Sequence, residues 1–483
     1  MGRPSIAISG MSPIGWRPPV ALAGGGGGDP DPEATLWVHP VFGDDSRSKA
    51  TVAASGGTLP WATLGRAVWG STSQGSPNTA EAADAGDVVS VAAGTYSAPG
   101  KAQRNDPAFN PANSGTSTDP ITFRADGVVN VALSSGSGPI IGAYVRDYIV
   151  WDGFVVDEAN GVSEPDTGSV VFWDCDGSGA EWLEIDGNGD GHGEVDNHTG
   201  IRFEVVTGGF ARNCTIRNVT SLSANPNNGA GIMVYGCENL VLEHNDIADC
   251  GSGIFLKGGP NGGWTSEIVG HTVRFNKIAN CESTGIAAYA GTPAAAGTPT
   301  LIYQNLVTGC EMALRYWFFN DLDEDPRDTF FINNTAYNCQ DGLAFIGTPA
   351  GFSHGLKAWN NIFSVMTNGI SSESTTFHEG DAECAHEHNI YHSVSGAVAS
   401  LNGGSTTVTL ANWKLTPYFH DAVSPAGSSS DPLFVSAGSN FRLQVGSYAL
   451  TQGRVTNGIG GTNGDTIPAG CYVTGGEDIG LEV

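Results

Sequence analysis

The chain has 483 residues and a formal net charge of -29, from 21 Lys and Arg against 50 Asp and Glu. Charge of that sign repels nucleic acid and anionic lipid, so neither a nucleic-acid partner nor membrane insertion is expected. Sixty-nine glycines with only 15% charged residues fit a turn-dense all-β chain, and 40% apolar content is enough for a continuous stacked interior.

Residues 1–34 read as an extended Gly/Pro-rich arm. Apolar positions such as Ile6, Ile8, Val20 and Leu22 lie among Pro and Gly and are followed by five consecutive glycines at 24–28. Glycine runs are flexible linkers, so the arm is expected either as a leader or as a peptide that docks on another protein. Gly, Pro and Arg repeatedly break the apolar core that a secretory signal needs, and no segment reaches membrane-spanning length. The expectation is a soluble product outside the general secretory route.

Residues 35–100 run in the order strand, polar turn, short helix, Gly-turn strand. The phrases Trp61-Ala62-Thr63-Leu64, Ala85-Gly86-Asp87-Val88-Val89 and Ala93-Gly94-Thr95-Tyr96 carry this pattern. They resemble the opening cap of the right-handed parallel β-helix (pectate-lyase-like) superfamily, in which a small helix covers the open end of the first coil.

Residues 101–395 contain the coils. Asn218, Asn245, Asn276, Asn305, Asn334, Asn361 and Asn389 recur at intervals of 27, 31, 29, 29, 27 and 28 residues. Five residues after each stand Ser223, Cys250, Cys281, Cys310, Cys339, Met366 and Val394. A period of this length marks a stacked solenoid, and Gly, Asn or Pro cuts every would-be helical stripe, so each repeat is one coil of short strands. Equivalent residues then sit about 4.8 Å apart, and the asparagines can form an amide ladder at a turn that uses their tolerance of left-handed dihedrals. Parallel side chains at that spacing do not suit disulfides, so the cysteines read as reduced packing residues. The expected fold is all-β, a single right-handed parallel β-helix with a short N-terminal capping helix and the extended arm.

Residues 396–483 read as a closing segment. Asp431-Pro432-Leu433-Phe434, Asn440-Phe441-Arg442-Leu443 and Asp478-Ile479-Gly480-Leu481 resemble the C-terminal end of the same superfamily.

Gly200, Gly231, Gly253, Gly285, Ala313, Gly342 and Gly369 each open an alternating strand. With the next residue pointing inward, strand alternation puts Arg202, Tyr235, Lys257, Tyr289, Arg315 and Trp317 outward, as one stripe of cations and aromatics over five adjacent coils. Such a groove suits an extended, anionic polysaccharide: rings stack on sugars, and Arg grips carboxylates bidentately. Polysaccharide lyases of the superfamily carry a Lys or Arg base and a charge-neutralising group on such a face, often with calcium. By that resemblance Lys257 is the base and Arg315 its partner, about 10 Å away two coils on. Hydrolysis would need two facing carboxylates, and Glu204 and Glu373 are six coils apart.

Asp186, Asn188, Asp190 and Glu194 form the first half of a calcium loop, with Gly191 at its sixth position and no glutamate at the twelfth, where Asn197 stands. Cys384, His386 and His388 alternate on one face and so do not converge as zinc ligands do. Two functions are expected. One is a virion-surface protein, similar to phage tailspikes, fibres or head-decoration proteins, whose arm anchors to a capsid or tail protein while the stripe binds host polysaccharide; it could be a homotrimer. The other is a polysaccharide lyase cleaving an acidic glycan by β-elimination, reaching the exterior by a non-classical route.

Overall fold

The computed structural model describes residues 33–157, 166–187, 197–220, 228–258, 270–289, 299–317, 329–346, 357–373, 385–413, 431–444, 447 and 449. The arm up to residue 32 lies outside them. From residue 88 the chain winds into a parallel β-solenoid, and one coil shows the plan. Val241–Glu243 lies on a first face, Asp246–Ala248 on a second and Ser252–Lys257 on a third. Each pairs in parallel with its equivalent in the next coil, Leu242 with Val273, Ile247 with Ile278 and Ile254 with Ile286. Ile and Val fill the inward positions because branched side chains pack well on a pleated, buried surface. The third face is an 11-stranded sheet from Ile141–Tyr144 to the antiparallel strand Thr406–Val408.

The asparagine ladder is present and joins the first face to the second. Asn305 Oδ1 accepts from the backbone N–H and from Nδ2 of Asn276, both at 3.0 Å. Asn305 Nδ2 donates to Val273 O, Tyr303 O and Asn334 Oδ1 at 3.0, 3.1 and 3.0 Å. The pattern repeats from Asn245 to Asn389, all of them fully buried.

Two expectations about this column are corrected. Asn218 is not a rung: the ladder ends on Cys214, whose N–H donates to Asn245 Oδ1 at 3.0 Å. Asn218 turns the corner between the second and third faces, with Asp249, Asn280 and Asn338, at φ of 58, 56, 55 and 54°. Nor are the ladder asparagines left-handed. The residue before each one is: His244, Phe275, Gln304, Asn333, Asn360 and His388 have φ between 54 and 59°. The left-handed residue makes the bend, and the extended asparagine that follows closes the hydrogen bonds the bend leaves open. Cys250, Cys281, Cys310 and Cys339 are buried free thiols in one column, as expected; Ser223 lies outside the described residues.

The recurrent glycine of the third face answers a close approach. A Cβ on Gly253 would stand 2.4 Å from Gly285 O and 2.6 Å from Ile278 Cγ2.

Two helices cap the N-terminal end. Lys49–Ala54 (α1) and Leu64–Trp69 (α2) start on Ser48 and Thr63, whose hydroxyls accept from Thr51 N and Arg66 N. Such caps are worth about 1 kcal/mol each. Trp61 is fully buried beneath the Arg66 guanidinium, 5.2 Å from its ring. At the far end a short helix, Leu410–Trp413 (α3), buries Trp413 against the last coils of the main core. The C-terminal hairpin, Phe434–Ser436 with Asn440–Leu443, does not close that end. It lies along the outside of the second face, where Phe434, Phe441 and Leu443 pack on Leu306, Ile362 and Ile390. The Asp478-Ile479-Gly480-Leu481 phrase lies outside the described residues.

Candidate functional site

The third face carries the sequence-predicted stripe, in two columns. One runs Val171, Arg202, Met233, Phe255, Ala287, Arg315 and Ala344. The other runs Trp173, Glu204, Tyr235 and Lys257, and further along it Tyr289 pairs with Trp317. Arg202 and Arg315 are therefore lateral neighbours of the Tyr235, Lys257 and Trp317 column, not members of a single file.

The expected open groove is a covered one. Arg202 is 1% exposed, Tyr235 6%, Lys257 8% and Arg315 4%, Trp317 is half-buried, and the Tyr289 side chain lies outside the described residues. Part of the cover is mutual. The Arg202 guanidinium carbon lies 4.4 Å from the Tyr235 ring centre, and Lys257 Nζ lies 5.0 Å from the same ring and 4.6 Å from that of Phe255. Arg315 stacks 3.9 Å over Trp317. Cation–π contact in such dry surroundings is worth about 2 kcal/mol. Lys257 Nζ also donates to Asn228 Oδ1 at 3.1 Å and Tyr235 Oη at 3.0 Å.

Arg202 and Glu204 form a buried ion pair in which Arg202 Nε and Nη2 both donate to Glu204 Oε2, at 3.0 and 2.8 Å. Burial raises the Glu204 carboxyl above its usual range, opposed by Arg202 and, further out, by Arg104, while Asp166 adds to the rise. Arg202 Nη1 and Glu204 Oε1 are buried and have no hydrogen-bond partner among the described residues. Each buried orphan of this kind costs about 1–3 kcal/mol. Unsatisfied buried polar atoms of this kind call for an explanation, a functional role among them. At the rim, the Arg104 guanidinium carbon lies 4.9 Å from the Trp173 ring centre, and Arg104 reaches Asp166 at 3.7 Å. Asp166 Oδ1 also accepts from Asn197 Nδ2.

Trp173, Arg104, Asp166 and Asn228 escaped the sequence reading. The glycine that flagged each rung is Ser169 in the Trp173 strand, one residue before the inward Val170, so that coil gave no signal. Of the calcium candidates only Asp186 is described, its Oδ1 accepting from Asn218 Nδ2 at 2.9 Å. Asn188, Asp190 and Glu194 lie outside, and no group of three or more His, Cys, Asp or Glu gathers for a metal among the described residues.

A family model described as "Right handed beta helix region" matches residues 184–321. The described residues fold as a parallel β-helix. No curated protein sequence matches it. Among solved structures, pectate lyase Pel9A is similar at 12% identity, covering 91% of this chain and 97% of that one with a TM-score of 0.47. A polygalacturonase from Erwinia carotovora ssp. carotovora shares 11% identity over 80% of this chain and 99% of its own, TM-score 0.45. An alginate lyase from Paenibacillus sp. str. FPU-7 shares 16% identity over 57% and 89%, TM-score 0.40.

Proposed function

We propose that the third face recognises an extended polysaccharide laid along the solenoid axis. The observation that carries this is the column itself: Trp173, Glu204, Tyr235 and Lys257 stand on successive paired rungs, followed by Tyr289 and Trp317, with Arg202 and Arg315 beside them. Rings that pack on sugars, alternating with groups that bond hydroxyls or carboxylates, suit a linear chain of sugars. The positive charge needed to approach an acidic glycan is local, from Lys257 and Arg315, in a chain whose net charge is -29. In the form of this proposal the sequence favours, residues 1–34 anchor the protein to a capsid or tail protein at a virion surface, and the glycan belongs to the host.

The eliminative alternative assigns the base to Lys257 and charge neutralisation to Arg315. The hydrogen bonds from Lys257 Nζ to Asn228 and Tyr235 support a holding role for this amine, so binding without cleavage is the primary reading.

The test is a glycan array followed by titration calorimetry of the retained oligosaccharide. Trp317→Ala is expected to weaken binding about tenfold, or about 1.4 kcal/mol, with the fold intact by circular dichroism. Ultraviolet-absorbing unsaturated products, lost in Lys257→Ala, would move the assignment to the lyase. Retention of no glycan by the wild-type chain would overturn the proposal.

A further inference from the structure

We infer that the Arg202–Glu204 rung is a subsite for the vicinal diol of a neutral sugar. This rests on the glycan reading above and narrows it. The two atoms left over by the ion pair are one donor, Arg202 Nη1, and one acceptor, Glu204 Oε1. A sugar carboxylate offers acceptors only and would face the Glu204 charge, so it satisfies one of the two and is repelled by the other. Adjacent hydroxyls satisfy both: one donates to Glu204 Oε1, and its neighbour accepts from Arg202 Nη1.

The electrostatics agree with a neutral guest. Among the described residues Arg202 is balanced by Glu204, and the nearby Arg104 by Asp166 at 3.7 Å, so these two pairs add no net charge to this end of the face. The amine of the column stands two rungs further on, at Lys257, whose partners among the described residues are the uncharged Asn228 and Tyr235. A platform for the sugar ring is also present. Trp173 is the register neighbour of Glu204, and its ring now carries the Arg104 guanidinium. The Arg104 and Asp166 side chains are 26% and 40% exposed, so they are the part of the rim that can yield to an incoming sugar. The diol takes the buried atoms as Arg104 leaves the Trp173 face.

The experiment titrates the full-length wild-type chain with two sets of tetrasaccharides, neutral hexose oligomers and polyuronates, together with singly deoxygenated versions of whichever neutral oligomer binds. The expected result is a neutral oligomer that binds, and a loss of about tenfold or more when either hydroxyl of one adjacent pair is removed. Arg202→Lys, which lacks the Nη1 position, should erase the difference between parent and deoxygenated ligands. Because the ligand series uses the wild-type protein, misfolding of that variant leaves the result readable. Binding of polyuronates alone, or of a neutral oligomer indifferent to every single deoxygenation, overturns the inference while leaving glycan recognition standing. Failure of every oligosaccharide to bind overturns both.

Discussion

Asn305→Ala is expected to lower unfolding stability by roughly 3–6 kcal/mol, read as a shift of the urea midpoint with the m-value unchanged. The magnitude follows from what is orphaned. Removing the amide leaves the Asn276 backbone N–H, one Asn276 Nδ2 bond, Val273 O and Tyr303 O without their partner, all buried, at about 1–3 kcal/mol for each group that finds no substitute. Asn218→Ala is the internal comparison. Its side chain makes one exposed bond to Asp186, and Ala is less tolerant than Asn of the left-handed φ of 58° there, so a cost of about 1–2 kcal/mol is expected. Equal effects at the two positions would mean that the ladder does not support the stack as described.

The second large effect is acid sensitivity through His271. This ring is 1% exposed, and its Nδ1 accepts from Leu240 N–H at 3.2 Å. Burial lowers its pKa from 6.5 to about 3. The folded state thus holds the neutral form, whereas the unfolded chain takes up a proton below about 6.5. A depressed histidine stabilises fully above that value, and the contribution drains away as pH falls toward 3. At 1.36 kcal/mol per unit the total is on the order of 5 kcal/mol. Glu204, with a raised carboxyl, works in the opposite direction at low pH, so the histidine is isolated by comparison with His271→Asn. That substitution keeps an acceptor for Leu240 N–H and discards the titration. The wild-type advantage measured at pH 7.5 should shrink by several kcal/mol by pH 4.5. A constant difference across that range would contradict the assignment.

The solenoid was legible because its coils repeat a chemical need. The rungs from Asn245 to Asn389 share an amide at the first corner, and most rungs carry a glycine where the third face meets Ile278 or its equivalents, so both recur in the sequence. Register was misread only at Asn218, because two corners of each coil accept Asn, and spacing alone does not say which corner a given residue turns. On the candidate site, strand alternation correctly separated inward Ile254 and Leu256 from outward Phe255 and Lys257. Alternation says which way a side chain points but not what covers it, so the burial of Arg202 and Tyr235 was invisible. Glu204 was set aside for want of a carboxylate nearby, whereas its partner is Arg202, two residues away on the same strand. The hairpin at Phe434 and Phe441 was recognised as a terminal segment, but its lateral docking on Leu306 and Ile362 depends on contacts between residues far apart in the chain that no local pattern encodes.

The central claim is that glycan recognition belongs to the third face, and a crystal structure of the chain with its retained oligosaccharide tests it most directly. The account predicts sugar density along the column of Trp173, Glu204, Tyr235, Lys257 and Trp317, with hydroxyls on Arg202 Nη1 and Glu204 Oε1. Sugar seated instead on the first face, against Arg274, Tyr303 and Trp359, would contradict it.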